Sequence, residues 1–139
     1  MSAHKYYRRE ESLYRAEARW RFTDLQEVRR ATDYLCRHFM LPYILVGDAK
    51  PGKPGYFVAA FRPEHYLSHR SSGLLIPTRY QTLYHLAHEF AHYMDYEDAI
   101  KDGRWRIRGL HKRYFRWHGR RHTEAMRKCV EVLRRRYRL

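Results

Sequence analysis

Tyr84-His85-Leu86-Ala87-His88-Glu89-Phe90-Ala91-His92-Tyr93-Met94-Asp95 is the stretch that decides how this chain is read. Within it lies His88-Glu89-x-x-His92, the HExxH pattern. Residues four apart on an α-helix project from the same side one turn apart, so the two imidazoles can converge on one metal ion. The glutamate after the first histidine then faces the open side of that ion, within reach of a bound water. Histidine pairs on helices also serve plain structural ends, so the setting of this helix carries the weight. The apolar run Leu74-Leu75-Ile76 reads as a short strand stopping at Pro77, and Thr78-Arg79-Tyr80-Gln81 fits a capping box that opens a helix. Leu83, Leu86, Ala87, Phe90 and Met94 fall on one stripe at helical spacing, with His88 and His92 on the other side. The expectation is a helix that backs onto a core and offers both histidines to a cleft.

Upstream, residues 3–21 mix Arg8, Arg9, Arg15, Arg19 and Arg21 with Tyr6, Tyr7, Leu13, Tyr14 and Trp20, which suits a basic amphipathic helix or an arm. Thr23-Asp24-Leu25-Gln26 is a second capping box, opening a helix whose Leu25, Val28, Thr32, Leu35 and Phe39 share a stripe and which ends before Pro42. Short strands follow at 43–46 and 56–61, separated by the turn-rich Lys50-Pro51-Gly52-Lys53-Pro54-Gly55, and a polar loop at 62–72 leads to a strand at 73–76. Downstream, residues 96–117 set Trp105, Ile107, Leu110, Tyr114, Phe115 and Trp117 among arginines and lysines. That interleaving suits stacking on bases and pairing with phosphates, and equally suits aromatics capping a core beneath solvated cations. A helix over 123–137 closes the chain, with Met126, Cys129, Val130 and Leu133 inward and Arg134, Arg135, Arg136 and Arg138 at the negative end of its dipole. The pattern predicts an α+β domain: a three-stranded sheet packed against the HExxH helix, one helix before it and a C-terminal helix after it. Residues 1–139 form one domain in this reading, with 1–22 as a basic arm or helix and 23–137 as the core.

The 139 residues carry 29 Lys and Arg against 15 acids, a formal net charge of +14. An excess of that size predicts sequence-indifferent, electrostatic attraction to nucleic acid, although high charge also serves solubility. Hydrophobic residues at 44% and aromatics at 16% exclude a disordered chain. Cys36 and Cys129 are too few and too far apart for a disulfide framework or a cysteine zinc site, which fits a reducing, intracellular location, cytoplasmic or beside the genome. No apolar run approaches the roughly 20 residues of a membrane span, and the charged N-terminus holds no signal-peptide core. No membrane partner is expected.

The order of elements, the HEFAH sequence at 88–92 and the segment Trp117-His118-Gly119-Arg120-Arg121-His122-Thr123-Glu124-Ala125-Met126 together resemble the SprT-like (Spartan-type) zinc metallopeptidases over residues 23–137. The resemblance implies a minimal zincin-like fold and a third histidine ligand at the head of the last helix, commonly within His-Gly-x-x-aromatic. His118-Gly119 keeps the glycine but has His122 where the aromatic is expected. His122-Thr123 loses both, yet Thr123 is a good N-cap and Glu124 suits a first turn. His118 is therefore the expected third ligand beside His88 and His92, with His122 as the alternative.

Three neutral imidazoles would leave a Zn²⁺ ion with one open position, where bound water loses a proton far more easily than in bulk. Glu89 would take that proton as general base and pass it to the amine leaving a cleaved peptide bond. Tyr93 and Asp95 are candidate supporting residues for the ligands. The expected function is zinc-dependent hydrolysis of a protein or peptide close to nucleic acid. The alternative is a nucleic-acid-binding or structural protein that retains a zinc site on the same fold; an intact Glu89 favours the enzyme, since a structural site needs no base.

Overall fold

A computed structural model of the chain describes residues 3–48, 56–58, 73–102 and 118–139. The elements run α1 (Ala3–Leu13), α2 (Arg15–Arg19), α3 (Leu25–His38), β1 (Leu45–Gly47), β2 (Tyr56–Val58), β3 (Gly73–Leu75), a 3-10 turn (Thr78–Tyr80), α4 (Leu83–Lys101) and α5 (Arg120–Tyr137). This is an α+β arrangement, mostly helical. Residues 59–61 of the second expected strand, the loops at 50–55 and 62–72 and the aromatic–cationic stretch 103–117 lie outside the described residues.

The sheet is mixed, in the order β1-β3-β2. β3 runs parallel to β1, with Val46 opposite Leu74, and antiparallel to β2, with Phe57 opposite Leu74. The central strand therefore buries Leu74 completely. Ile44, Val46, Leu74 and Ile76 join Val28, Ala31, Leu35 and Cys36 of α3 and Leu83, Leu86, Ala87 and Phe90 of α4 in one core, which Met126, Cys129, Val130 and Leu133 of α5 complete. α3 packs on β1, α4 packs on β2, and both helices meet α5. Arg29 secures the α3–β1 seam by donating its Nε–H to the Val46 carbonyl at 3.1 Å.

The N-terminal segment is helical rather than an extended arm. It leads into residues 20–22, which pair with 81–83: Phe22 N–H donates to the Gln81 carbonyl (2.9 Å) and Leu83 N–H to the Trp20 carbonyl (3.0 Å). Arg21 adds bonds to the carbonyls of Thr78 (2.7 Å) and Arg79 (3.0 Å). This pairing holds the backbone extended at Thr82 and moves the start of α4. Thr78 opens only the 3-10 turn, and Thr82 is the N-cap, its hydroxyl accepting from His85 N–H. α3 shows a smaller shift. Asp24 caps it by accepting from Glu27 N–H (2.9 Å), and the Glu27 carboxylate reaches back to Thr23.

α4 also departs from the expected one-sided burial. Its first three turns are covered all round, because α2 and α5 pack against it from directions other than the sheet. His88 is 1% exposed, His92 4% and Glu89 5%. The histidine face thus opens into a helix-lined interior.

α3 ends in a Schellman motif whose left-handed position is Met40, at φ 55°. Met40 N–H bonds the Arg37 carbonyl and Leu41 N–H bonds the Cys36 carbonyl. A side chain in this conformation costs on the order of 1–2 kcal/mol that glycine avoids, partly offset by glycine's greater freedom when unfolded. Met40 is 89% exposed, so its side chain contributes little packing. Met40→Gly is expected to stabilise the fold by roughly 0.5–1 kcal/mol, read as a rise in the urea midpoint at unchanged slope.

Candidate metal centre

α4 contributes His88 and His92 one turn apart, and Tyr84 one turn before His88. α5 begins at Arg120 with Gly119 as its N-cap, so His118 stands just ahead of the helix and His122 within its first turn. Packing α4 against α5 brings all four imidazoles together. One nitrogen from each lies within 4.8 Å of one nitrogen from every other. The ring centroids of His92 and His122 are 4.2 Å apart and those of His88 and His92 are 5.1 Å apart, with the other pairs between these values. Four imidazoles at this spacing are close enough to hold one metal ion.

The two α5 histidines are placed differently. His118 is half-buried and sets its Nε2 3.2 Å from His88 Nε2. Nitrogens held tetrahedrally at about 2.0–2.1 Å from one ion lie about 3.3 Å apart, so this pair has the spacing of two ligands. His122 is fully buried, and its Nε2–H donates to the His88 backbone carbonyl at 3.2 Å. The sequence reading treated the two as rivals for one place. The structure brings both to the site because His118 precedes the helix and His122 lies one turn further on.

The buried carboxylate of Glu10, from α1, also reaches this cluster. Its Oε1 accepts from His88 Nδ1–H at 2.5 Å and from Tyr84 Oη–H at 2.7 Å, and its Oε2 lies 4.0 Å from His122 Nδ1. The sequence reading missed Glu10. The available signal was Glu10 and Glu17 at helical spacing with Tyr14, two acids on the inward face of an arginine-rich segment; both are buried. Tyr93 is also buried, but its hydroxyl donates to the Pro42 carbonyl (2.5 Å). That bond braces the approach to β1. Asp95 is 6% exposed.

Electrostatics keep the ring nitrogens in distinct states. Burial presses His122 down to about 3, with neighbouring His88 adding to the effect, so its imidazole is neutral at ordinary pH. Burial likewise takes His85 down to about 4. For His88 burial works in the same direction, but the hydrogen bond to Glu10 and the charge of Glu89 outweigh it and the net shift is upward. Glu10 directs the His88 proton to Nδ1 and leaves Nε2 facing His118. Four nitrogen donors with carboxylates beside them suit a borderline transition-metal ion better than Mg²⁺ or Ca²⁺, which favour all-oxygen shells.

No protein-family model, curated protein or solved structure matches this chain.

The geometry predicts uptake of one divalent transition-metal ion per chain. His92→Ala and His118→Ala should each weaken binding by more than about a hundredfold, the upper end for loss of an outer partner. His122→Ala should cost less, because its Nε2 is bonded to the backbone. Titration against a chromophoric chelator checks this; a large loss for His122→Ala with none for His118→Ala reverses the assignment.

Proposed function

We propose that this chain is a zinc metallopeptidase of SprT-like, minimal zincin-like type, in which His88, His92 and His118 hold the ion and Glu89 is the general base. The observation that carries the reading is the convergence of the HExxH pair with His118 from the head of α5, at 3.2 Å between the Nε2 atoms of His88 and His118. A bound Zn²⁺ would supply Lewis acidity and bring the pKa of its water toward about 7.

The chain's own residues account for the remaining roles. Glu89 follows His88 by about 100° around α4, and its charge acts on that imidazole from a buried position. It is placed to accept a proton from the attacking water and return it to the departing amine. His122 acts as a clamp, holding the first turn of α5 to the α4 backbone and so fixing His118. His88, Glu89, His92 and His122 are buried and His118 partly so, and removal from water strengthens each of these interactions.

A protein or peptide close to nucleic acid is the favoured substrate. Residues 118–139 carry eight arginines and lysines against two glutamates. A groove of about 490 Å³ beside Tyr14 is lined by Arg127, Arg134, Arg135 and Arg138 with Glu131. Arg127 and Arg135 pair with Glu131, and Arg134 with Glu17. The two pairs to Glu131 are exposed on both sides and weak, so they release to phosphate at little cost, whereas Arg134 is held against the buried Glu17. Two buried thiols, with burial raising Cys36 to about 12, suit a reducing compartment. The alternative, a nucleic-acid-binding protein with an idle zinc site, rests on the same charge.

Glu89→Gln is expected to retain zinc and thermal stability while losing peptide-bond hydrolysis by at least about a hundredfold, as removal of a general base requires. Casein cleavage and self-cleavage, with and without DNA, measure it. Wild-type cleavage matched by Glu89→Gln would exclude this mechanism, and a zinc-loaded wild type that cleaves nothing favours the alternative.

Binding to DNA or RNA is expected to be indifferent to sequence and to weaken roughly a thousandfold between about 50 and 200 mM salt if six or more phosphates are contacted. A gel-shift titration with no retention at low salt would assign the charge to solubility.

A further inference from the structure

We infer that Glu10 is a positioning residue of the metal centre, so that the N-terminal helix is a working part of the site and not an appendage to it. The inference rests on the metal-binding reading above and extends it to a segment outside the region of SprT-like resemblance.

Three observations converge on this carboxylate. It is 5% exposed although it belongs to a segment rich in arginine. Its Oε1 takes two hydrogen bonds from one face of α4, from Tyr84 Oη (2.7 Å) and His88 Nδ1 (2.5 Å). Its other oxygen lies 4.0 Å from Nδ1 of His122, on the opposing helix. One carboxylate thus lies between the two helices that supply the imidazoles.

The chemistry follows from the imidazole ring. A histidine that donates Nδ1–H to a carboxylate carries its lone pair on Nε2, aimed away from that carboxylate, here toward His118. The bond fixes the ring's rotation as well as its tautomer, and it makes the far nitrogen a stronger base. Burying a carboxylate costs several kcal/mol unless positive charge lies close by. A divalent ion on the far side of His88 would supply that charge through the ring.

The test compares wild type, Glu10→Gln and Glu10→Ala by competition titration of Zn²⁺ against a chromophoric chelator, and by the visible spectrum of the Co²⁺-loaded proteins. Wild type is expected to bind one ion. Glu10→Ala should bind about 100-fold and Glu10→Gln about tenfold more weakly, the range found when a carboxylate behind a ligating histidine is lost. The Co²⁺ bands of Glu10→Gln should shift, which a contact that merely docks α1 would not cause. Glu10→Gln keeps the size and one acceptor, so it reports even if Glu10→Ala fails to fold. Wild-type affinity and spectrum in Glu10→Gln overturn the inference and leave the metal site standing. No uptake by wild type overturns the metal-binding reading itself, and the inference with it.

Discussion

Burial of polar side chains between α4 and α5 is the constraint on which the rest of this structure depends. His88, His92, Glu89, His122 and Glu10 are each 5% exposed or less, in a chain with a formal net charge of +14. Buried polar groups are costly unless each finds a partner, and here the partners come from distant parts of the sequence. His88 is bonded to Glu10, 78 residues upstream, and His122 to the His88 carbonyl, 34 residues away. Helices that moved apart would strand several of these groups at once, so the polar layer sets the separation of α4 and α5 as firmly as the apolar core beneath it.

That layer also explains why the imidazoles differ in character. Burial disfavours charge on every ring, and the outcome at each depends on what faces it. His122 faces a carbonyl and another imidazole and stays neutral, with burial the dominant cause. His88 faces two carboxylates, and their pull exceeds the burial effect. The carboxylates that raise His88 would also balance the charge of a cation bound there, and that cation would displace any proton held on the coordinating nitrogen.

Away from the site, the fold is stabilised by ordinary means. Asp24 and Thr82 cap α3 and α4 with their side chains, and a Schellman turn ends α3. Trp20, Phe22 and Tyr137 pack their rings at 4.6–5.7 Å, joining the segment before α3 to the end of α5. Arg136 lies over Tyr34, 4.4 Å from the ring centre. Such contacts let a strongly cationic helix cover aromatic surface while keeping its charges in water. Among the described residues no helix is long and apolar enough to cross a membrane.

Local pattern alone determined a good deal about this protein. The spacing of Val28, Leu35 and their neighbours, and of Leu83, Leu86 and Phe90, specified α3 and α4, since helical period is written into consecutive residues. The short apolar runs located the three strands, and the buried face of α5 was legible in Met126, Cys129, Val130 and Leu133. His88, Glu89 and His92 were legible for the same reason, being held in one turn by the helix itself. Tertiary structure decided what no local pattern contains. The pairing of 20–22 with 81–83 moved the cap of α4 from Thr78 to Thr82, because a long-range bridge overrode a good capping box. The start of α5 at Arg120 placed His118 and His122 together at the site rather than in competition. Glu10 reached His88 only because α1 and α2 fold back over α4, and a contact made across 78 residues is set by packing, not by spacing.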